Sequence, residues 1–220
     1  MPDIHLALAN GLNLRSADQD DYRLMSRIYE AACKQKRFDI APSATWDDVN
    51  TNYKRLDMQW QMRSMLGHQL FIMSCPPFET NLPVMNKQGE QFCGFCSISP
   101  NMNDGLYISN LYSVMPARPG PKKHYGLTML QMIVTIADLT QRPYIELCAE
   151  TTQCHDWYVK QGFIPYPQKN GQKNSRQHSA ELLMNERYYP KALKQMQTTT
   201  GISFQKGQML NKQLAPVLSL

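Results

Sequence analysis

A strand, helix and strand between Leu106 and Ala149 constrain the fold of this chain more than any other segment. Leu106 to Met115 is a largely apolar run that stops before Pro116, and it reads as a long strand. Apolar residues then recur at helical spacing, and a second strand pattern runs from Pro143 to Ala149. A helical crossover of this kind joins parallel strands, and open sheets bind ligands beyond the carboxyl ends of such strands. The sequence therefore predicts an α/β protein with a ligand site at one end of these two strands.

Further strands are predicted on both sides of this unit. Leu12 to Arg15 alternates like a short strand, and Gln69 to Cys75 with Gln91 to Ser99 reads as a long hairpin. His178 to Met184 also alternates and reads as a further strand. The predicted sheet is therefore mixed.

Two amphipathic helices are predicted before the hairpin. Ser16 to Asp18 can cap the first, and Thr45 to Asp48 has the form of a capping box for the second. An apolar stripe from Trp46 to Trp60 follows that box at helical spacing. We interpret the stripe as core, with a wall of a substrate pocket as the functional alternative.

Composition narrows the class of protein. A chain of 220 residues with 42% hydrophobic residues is large enough for one domain with a real core. It contains no run of about 18 apolar residues, so neither a membrane span nor a membrane partner is expected. The first residues lack the basic flank and apolar run of a secretory signal. Five scattered histidines without zinc spacing give no support for a metal site.

The six cysteines favour a reducing compartment, and cytoplasmic localisation is the simplest expectation. Cys93 and Cys96 lie three apart in a predicted strand, which separates their Cα atoms by about 10 Å, too far for a disulfide. Cys33, Cys148 and Cys154 lie in apolar patterns, where a reduced cysteine packs as a small hydrophobe.

The net charge of +5 is spread along the chain. Lys122 and Lys123 form the only short basic cluster beside a recognisable loop, and the remaining charge reads as a solvated surface. A nucleic-acid partner is not expected, because no alternation of aromatic and basic residues accompanies the charge.

Two segments resemble the acyl-CoA site of the GNAT superfamily of N-acyltransferases. Trp157-Tyr158 followed by Gly162-Phe163 matches the family ending A-x-x-x-Y-x-x-x-G-F, with Cys154 in the Ala position. The loop from Val114 to Leu127 occupies the place of the family's phosphate loop, between its fourth strand and third helix. Backbone N–H groups at such a helix N-terminus bind a pyrophosphate when no side chain intervenes.

The resemblance implies a fold and a domain boundary. The expected fold is a mostly antiparallel sheet of six or seven strands, splayed between two parallel central strands and flanked by helices. The acyltransferase domain would cover residues 1–188, and residues 189–220 would be a C-terminal extension of unknown role that contains a short helix from Lys191 to Met196.

The phosphate loop can be aligned with the family in two registers. Gly126 is either the first glycine, with Lys123 in the Arg/Gln position and Thr128 as the small residue, or the second glycine, with His124 replacing the first. We prefer the second register, because it directs onto the sheet only apolar side chains: Met129, Leu130, Ile133, Val134 and Ala137. The first would direct Gln131 there.

The resemblance also implies the site residues. Acetyl-CoA would be the co-substrate, and no metal would be needed. Tyr158 would be catalytic by donating to the departing sulfur, although full proton transfer from a tyrosine to a thiolate is uphill by roughly 2 kcal/mol. The residues implied to bind acetyl-CoA are Tyr112, Ser113, Val114, Lys122, Lys123, His124, Tyr125, Gly126, Leu127 and Thr151.

The acceptor is expected to be a primary amine on a small molecule or a protein. Deprotonating a lysine-like amine at pH 7 costs roughly 4.6 kcal/mol, so a base or a water chain is expected. The strand from Tyr107 to Ser113 carries no carboxylate, and the base stays unassigned. The candidates are Asp104, Glu150, His155, and water held by Ser109 or Asn110.

The sequence leaves two interpretations of function open. The first is an N-acetyltransferase in which the amine attacks acetyl-CoA directly in a ternary complex. The second is a weak or inactive GNAT-fold module that binds acyl-CoA or a protein partner. The irregular loop from Pro119 to His124 and the missing strand carboxylate favour the second. Homodimer formation is compatible with either.

Overall fold

The computed structural model describes residues 5–8, 11–17, 21, 69–75, 91–113, 124–149, 151–166 and 181–204. Within them one sheet contains the strands β1 (His5–Ala7), β2 (Asn13–Ser16), β3 (Gln69–Cys75), β4 (Gln91–Pro100), β5 (Leu106–Ser113), β6 (Tyr144–Cys148), β7 (Ile164–Pro165) and β8 (Glu181–Asn185). The α-helices are α1 (Tyr125–Leu139), α2 (Thr152–Lys160) and α3 (Tyr189–Thr200), and short 3-10 turns span Met102–Asp104 and Glu186–Tyr188.

The order of strands across the sheet is β1-β2-β3-β4-β5-β6-β8-β7. Every pairing is antiparallel except that of β5 with β6. The predicted mixed, mostly antiparallel sheet is therefore confirmed. The described residues form eight strands rather than six or seven, because His5–Ala7 adds a strand beside β2 and Ile164–Pro165 adds one beside β8. Elements of two or three residues are too short to show a strand period in the sequence.

The predicted splay between the two central strands is present. Three residue pairs join β5 to β6, and the last of them is Ile108 with Leu147. β5 continues to Ser113, and no strand among the described residues pairs with that edge beyond Ile108. On its other edge, Ser109 is an extra residue between the pairs that β5 makes with β4. Such a bulge bends a strand, which helps β5 turn away from β6.

Helix α1 is buried around nearly its whole circumference. Met129, Leu130, Ile133, Val134 and Ala137 are fully buried, and Gln131 is buried as well, so burial does not distinguish the two registers of the loop. Met129 lies against Gly94 of β4. A helix that is apolar all round must be covered on both sides. The sheet covers one side of α1, and α3 covers the other.

The C-terminal residues 189–204 pack against the same core. The predicted helix from Lys191 to Met196 is present and extends over the whole of α3. Tyr189 and Met196 are buried, and Gln131 of α1 donates a hydrogen bond of 2.7 Å from Nε2 to the carbonyl of Ile202. This contact gives the buried amide of Gln131 a hydrogen-bond partner.

Burial in β6 alternates, whereas the sequence reads as a uniformly buried strand. Ile145 and Leu147 are buried, Glu146 is half-buried, and Cys148 is exposed. The expectation that Cys148 packs as a small hydrophobe is therefore wrong. Only one face of β6 is covered by the core, and Cys148 lies on the other.

No cysteine of the described residues forms a disulfide. Cys75, Cys93 and Cys96 are buried, and Cys154 is half-buried. The prediction that Cys93 and Cys96 do not form a disulfide is confirmed. Several other predicted features lie outside the described residues: the helices expected after Ser16 and Thr45, the start of the last strand at His178, Cys33, Glu150, and the loop residues Val114, Lys122 and Lys123.

Alanine is expected to have different effects on stability at two glycines, Gly94 of β4 and Gly126 of α1. A Cβ at Gly94 would lie 2.6 Å from the backbone carbonyl of Tyr112, so Gly94→Ala should reduce the free energy of unfolding by about 1–3 kcal/mol. A Cβ at Gly126 would meet nothing closer than Ser113 Oγ at 3.5 Å. Gly126→Ala should therefore leave stability unchanged or raise it by up to about 1 kcal/mol. Urea unfolding of both variants tests this, and equal losses would contradict the packing described.

Candidate active site

A slot opens where β5 and β6 part. Its volume is about 60 Å³, far below the roughly 300–1,000 Å³ of pockets that enclose a whole ligand. It can take a narrow chain or a small group, while the bulk of any larger ligand would lie outside. The residues that line it are Ile108, Ser109, Asn110, Leu111, Tyr112, Leu147, Cys148, Ala149, Cys154 and Tyr158.

Tyr158 reaches the slot from the last turn of α2. Thr151 caps this helix: its Oγ1 accepts a 3.1 Å hydrogen bond from the backbone N–H of Cys154. The Tyr158 ring packs edge-on against Trp157 and Phe163, with centroids at 4.8 and 5.4 Å. Phe163 follows the turn at Gly162, where a φ of 102° ends the helix. The motif residues around Tyr158 thus fix its position beside the slot.

The N-terminus of α1 presents three backbone N–H groups without helical partners. Thr128 N–H is the first to bond within the turn, to the carbonyl of His124 at 2.8 Å. The N–H groups of Tyr125, Gly126 and Leu127 precede it. Gly126 lies beside Ser113, the last residue of β5. The helix N-terminus therefore adjoins the outer end of the strand that forms one wall of the slot.

His124 stands at the N-cap of α1 in the left-handed conformation, with φ 49° and ψ 37°. Its side chain makes no capping hydrogen bond. Left-handed backbone is costly for residues other than glycine, by roughly 1–2 kcal/mol. His124 thus occupies a backbone conformation that favours glycine, at the position where the preferred register aligns it with the first glycine of the motif.

The other described residues predicted to bind acetyl-CoA are placed as follows. The side chains of Tyr125 and Leu127 are buried, so at the surface they can offer only their backbone N–H groups. Burial, together with Cys75 and Cys93, raises the pKa of Tyr125 far above its ordinary value. Tyr112 is buried at the slot wall, with its ring centroid 4.9 Å from that of Phe95.

Of the candidates for the base, Asp104 and His155 lie away from the slot. Asp104 is at the opposite end of β5, where its carboxylate is 3.8 Å from Arg142. His155 Nδ1 is 3.3 Å from Asp156 Oδ1, and His155 is not among the slot residues. Asn110 and Ser109 do line the slot, and Asn110 Nδ2 donates to Ser97 Oγ at 2.8 Å.

A carboxylate that was not predicted as a site residue lies on β6, in the part that still pairs with β5. Glu146 is directly opposite Tyr107, one pair before β5 and β6 part. Asn101 Nδ2 donates a hydrogen bond to Glu146 Oε2. The pKa of Glu146 is raised by burial and, secondarily, by the charge of Glu181, while the Asn101 hydrogen bond opposes the rise. The signal was available in the sequence: Glu146 is the only charged residue in the pattern Tyr144–Cys148.

Neither a metal centre nor a membrane span is found in the described part of the chain. No group of three or more His, Cys, Asp or Glu side chains there could hold a metal ion. None of its helices has the length and apolar character needed to cross a bilayer.

Solved structures with the GNAT fold superpose on most of this chain. An acetyltransferase of the GNAT family from Staphylococcus aureus is 11% identical, with a TM-score of 0.53, covering 80% of this chain and 99% of its own. RimJ from Mycobacterium smegmatis, in complex with CoA-disulfide, is 16% identical, with a TM-score of 0.53 and coverage of 90% and 94%. A spermidine N-acetyltransferase chimera of Vibrio cholerae SpeG and hSSAT is 12% identical, with a TM-score of 0.50 and coverage of 82% and 98%.

No protein-family model and no curated protein matches the sequence. Structural likeness at such low identity establishes the fold alone. The chain has the GNAT fold, and the resemblance read from its motifs is confirmed at that level.

His124→Gly is expected to raise the free energy of unfolding by up to about 1 kcal/mol. The left-handed conformation costs glycine nothing, which outweighs the roughly 0.5–1 kcal/mol entropic cost of glycine in the unfolded chain. His124→Val, with a β-branched side chain, should lower it. Urea unfolding measures both, and a glycine variant less stable than the original protein would contradict the assignment of strain.

Glu146→Gln is expected to raise the free energy of unfolding more at pH 7 than at pH 4. Because the folded-state pKa of Glu146 is raised above the ordinary 4.5, ionised Glu146 opposes folding, and this cost grows as the pH rises above that value. The unfolding free energy of the variant minus that of the original protein should therefore be more positive at pH 7. A difference that is the same at both pH values would contradict the raised pKa.

Proposed function

We propose that this chain, which has the GNAT fold, is an N-acetyltransferase that moves an acetyl group from acetyl-CoA to a primary amine by direct attack in a ternary complex. The observation that carries the proposal is the slot between β5 and β6. Tyr158 lines it, and the N-terminus of α1 adjoins its outer wall. Acetyl-CoA suits this arrangement, because its thioester is at one end of a long, narrow arm and its phosphates are at the other.

In this proposal the chain binds acetyl-CoA through three regions. The N–H groups of Tyr125, Gly126 and Leu127 bind the pyrophosphate, aided by the positive end of the helix dipole. Lys122 and Lys123 add positive charge to the same phosphates. The edge of β5 from Ser109 to Ser113, which no described strand covers, supplies backbone groups for the amide-containing arm.

Tyr158 acts on the leaving group. Its hydroxyl donates a hydrogen bond to the sulfur as the carbon–sulfur bond breaks, so that the thiolate leaves the slot without full charge separation. Because a tyrosine is a weaker acid than a thiol by about 1.5 pKa units, this hydrogen bond contributes at least as much as proton transfer.

Two of the similar structures support the choice of substrates. RimJ is in complex with CoA-disulfide, which supports CoA as a ligand of the fold. The Vibrio cholerae chimera is named as a spermidine N-acetyltransferase, which supports an amine acceptor. The cysteines of the described residues, Cys148 exposed among them, form no disulfide, which supports a reducing, cytoplasmic compartment.

A second candidate function is a GNAT-fold module that binds acyl-CoA without turnover. Two features favour it: His124 stands where the family has a glycine, and β5 has no carboxylate. Tight CoA binding with only slow thiol release, unchanged by any amine, would distinguish this function from catalysis.

Calorimetry with acetyl-CoA tests the first requirement of the proposal. Micromolar to submillimolar binding is expected, and undetectable binding at millimolar ligand would remove the proposal. A screen of amines by free-thiol release then identifies the acceptor. The panel contains spermidine, a peptide with a free N-terminus, a lysine peptide blocked at its N-terminus, and an amino sugar.

Tyr158→Phe is expected to lower kcat by about 10- to 100-fold with the best amine of that panel. A hydrogen bond to a charged group contributes about 1.5–3 kcal/mol, and here it forms mainly as the thiolate develops. The dissociation constant of acetyl-CoA should change less than threefold. Tyr188→Phe is the matched control, because Tyr188 is exposed and remote from the slot residues. Equal kcat values for the two variants would contradict the role of Tyr158.

A further inference from the structure

Two cysteines line the slot, and they come from different elements. Cys148 is the last residue of β6 and directly follows Leu147, whose pair with Ile108 is the last between β6 and β5. Cys154 is in the first turn of α2, four residues before Tyr158. Residues four apart are neighbours on one face of a helix, which is why both line the slot. Neither thiol has a role in the proposed transfer of the acetyl group.

The two thiols differ in their access to solvent. Cys154 is half-buried and packs against the hydrophobic core. Cys148 is exposed, because β6 directs Ile145 and Leu147 toward the core and Cys148 lies on the opposite face of the strand. Access is one of the factors that decide which cysteine reacts with a dissolved reagent. Cys148 is therefore a thiol that both borders the slot and can be reached from solvent.

The proposed function brings a further sulfur into the slot. Tyr158 lines the slot and donates to the sulfur of CoA, so that sulfur lies in a space of about 60 Å³. Cys148 borders the same space. Thiol–disulfide exchange requires contact between the attacking and the attacked sulfur, and its rate depends on access. A CoA sulfur bound in the slot is therefore within reach of the accessible thiol of Cys148.

We propose that Cys148 forms a mixed disulfide with CoA, and that this modification closes the acetyl-CoA site until a thiol reduces it. The reagent is the disulfide of CoA. One half binds as acetyl-CoA does, with its sulfur in the slot and its phosphates at the N-terminus of α1. The other half lies in solvent, on the exposed side of Cys148. This inference rests on the proposed function, because it uses the same CoA site, and it adds regulation of that site by the oxidation state of CoA.

The exchange balances in bonds, electrons and protons. The thiolate of Cys148 attacks the slot-bound sulfur of the CoA disulfide, a bond forms between these two sulfurs, and the sulfur–sulfur bond of the reagent breaks. The other CoA leaves as a thiolate and takes up the proton that Cys148 lost to solvent. Cys148 is oxidised and the departing CoA sulfur is reduced. A small thiol reverses the modification by the same exchange.

The test treats the full chain with CoA disulfide and, separately, with glutathione disulfide, and follows the adducts by intact-protein mass. CoA disulfide should add one CoA group, which peptide mass spectrometry locates at Cys148. It should react about 10-fold or more faster than glutathione disulfide, because only the CoA reagent is held at the slot before it reacts. Acetyl-CoA at about ten times its dissociation constant should slow the CoA reaction about 10-fold, as competition for one site requires.

Cys154→Ser is the matched control for Cys148→Ser, because both cysteines line the slot. Cys148→Ser should lose the adduct that acetyl-CoA protects against, whereas Cys154→Ser should keep it. With the best amine of the screen, CoA disulfide should remove most of the acetylation activity of the original protein, and dithiothreitol should restore it. Treated Cys148→Ser should retain its own untreated rate. The location of the adduct in the original protein tests the inference even if a variant folds poorly.

Three results would overturn the inference. The adduct forms at another cysteine, Cys148 reacts with CoA disulfide no faster than with glutathione disulfide, or acetyl-CoA gives no protection. Each would show that Cys148 is not a CoA-directed site, and the proposed function would stand as long as calorimetry detects acetyl-CoA binding. If acetyl-CoA does not bind at millimolar concentration, the inference and the proposed function fail together.

Discussion

The separation of β5 from β6 is the feature on which the site depends. Two parallel strands that remained paired would use their facing N–H and C=O groups on each other and leave no opening. Here the pairing stops at Ile108 and Leu147, and the bulge at Ser109 bends β5 away. The separation of the strands creates the slot. It also leaves backbone N–H and C=O groups of β5 unpaired by β6 along the slot, so the cavity and its hydrogen-bonding wall have the same cause.

The rest of the fold holds that separation open. Helix α1 is clamped between the sheet and α3, which fixes its N-terminus beside Ser113 at the end of β5. Helix α2 follows β6 in the chain, begins after its cap Thr151, and places Tyr158 at the slot. His124, at the N-terminus of α1, opposes a local rule of stability, because its backbone is left-handed. Residues of this kind concentrate at functional sites.

The sequence predicts the framework well because its signals are local. Strand alternation and the helical spacing in α1 each depend on a few neighbouring residues, and both are confirmed. The slot itself depends on where two distant strands stop pairing, and no local pattern encodes that. For the same reason Cys148 was predicted to be buried and is exposed, and Glu146 was overlooked inside an apolar strand. The roles of Tyr158 and of the α1 N-terminus remain predictions.

Hydrogen exchange with and without acetyl-CoA is the most direct measurement of whether the slot and the α1 N-terminus bind one ligand. The account predicts slower exchange on adding acetyl-CoA for the amides of β5 from Ser109 to Ser113 and for those of Tyr125, Gly126 and Leu127, with little change in β1 to β3. Binding that protects neither group of amides, or that protects a different region of the chain, would contradict the account.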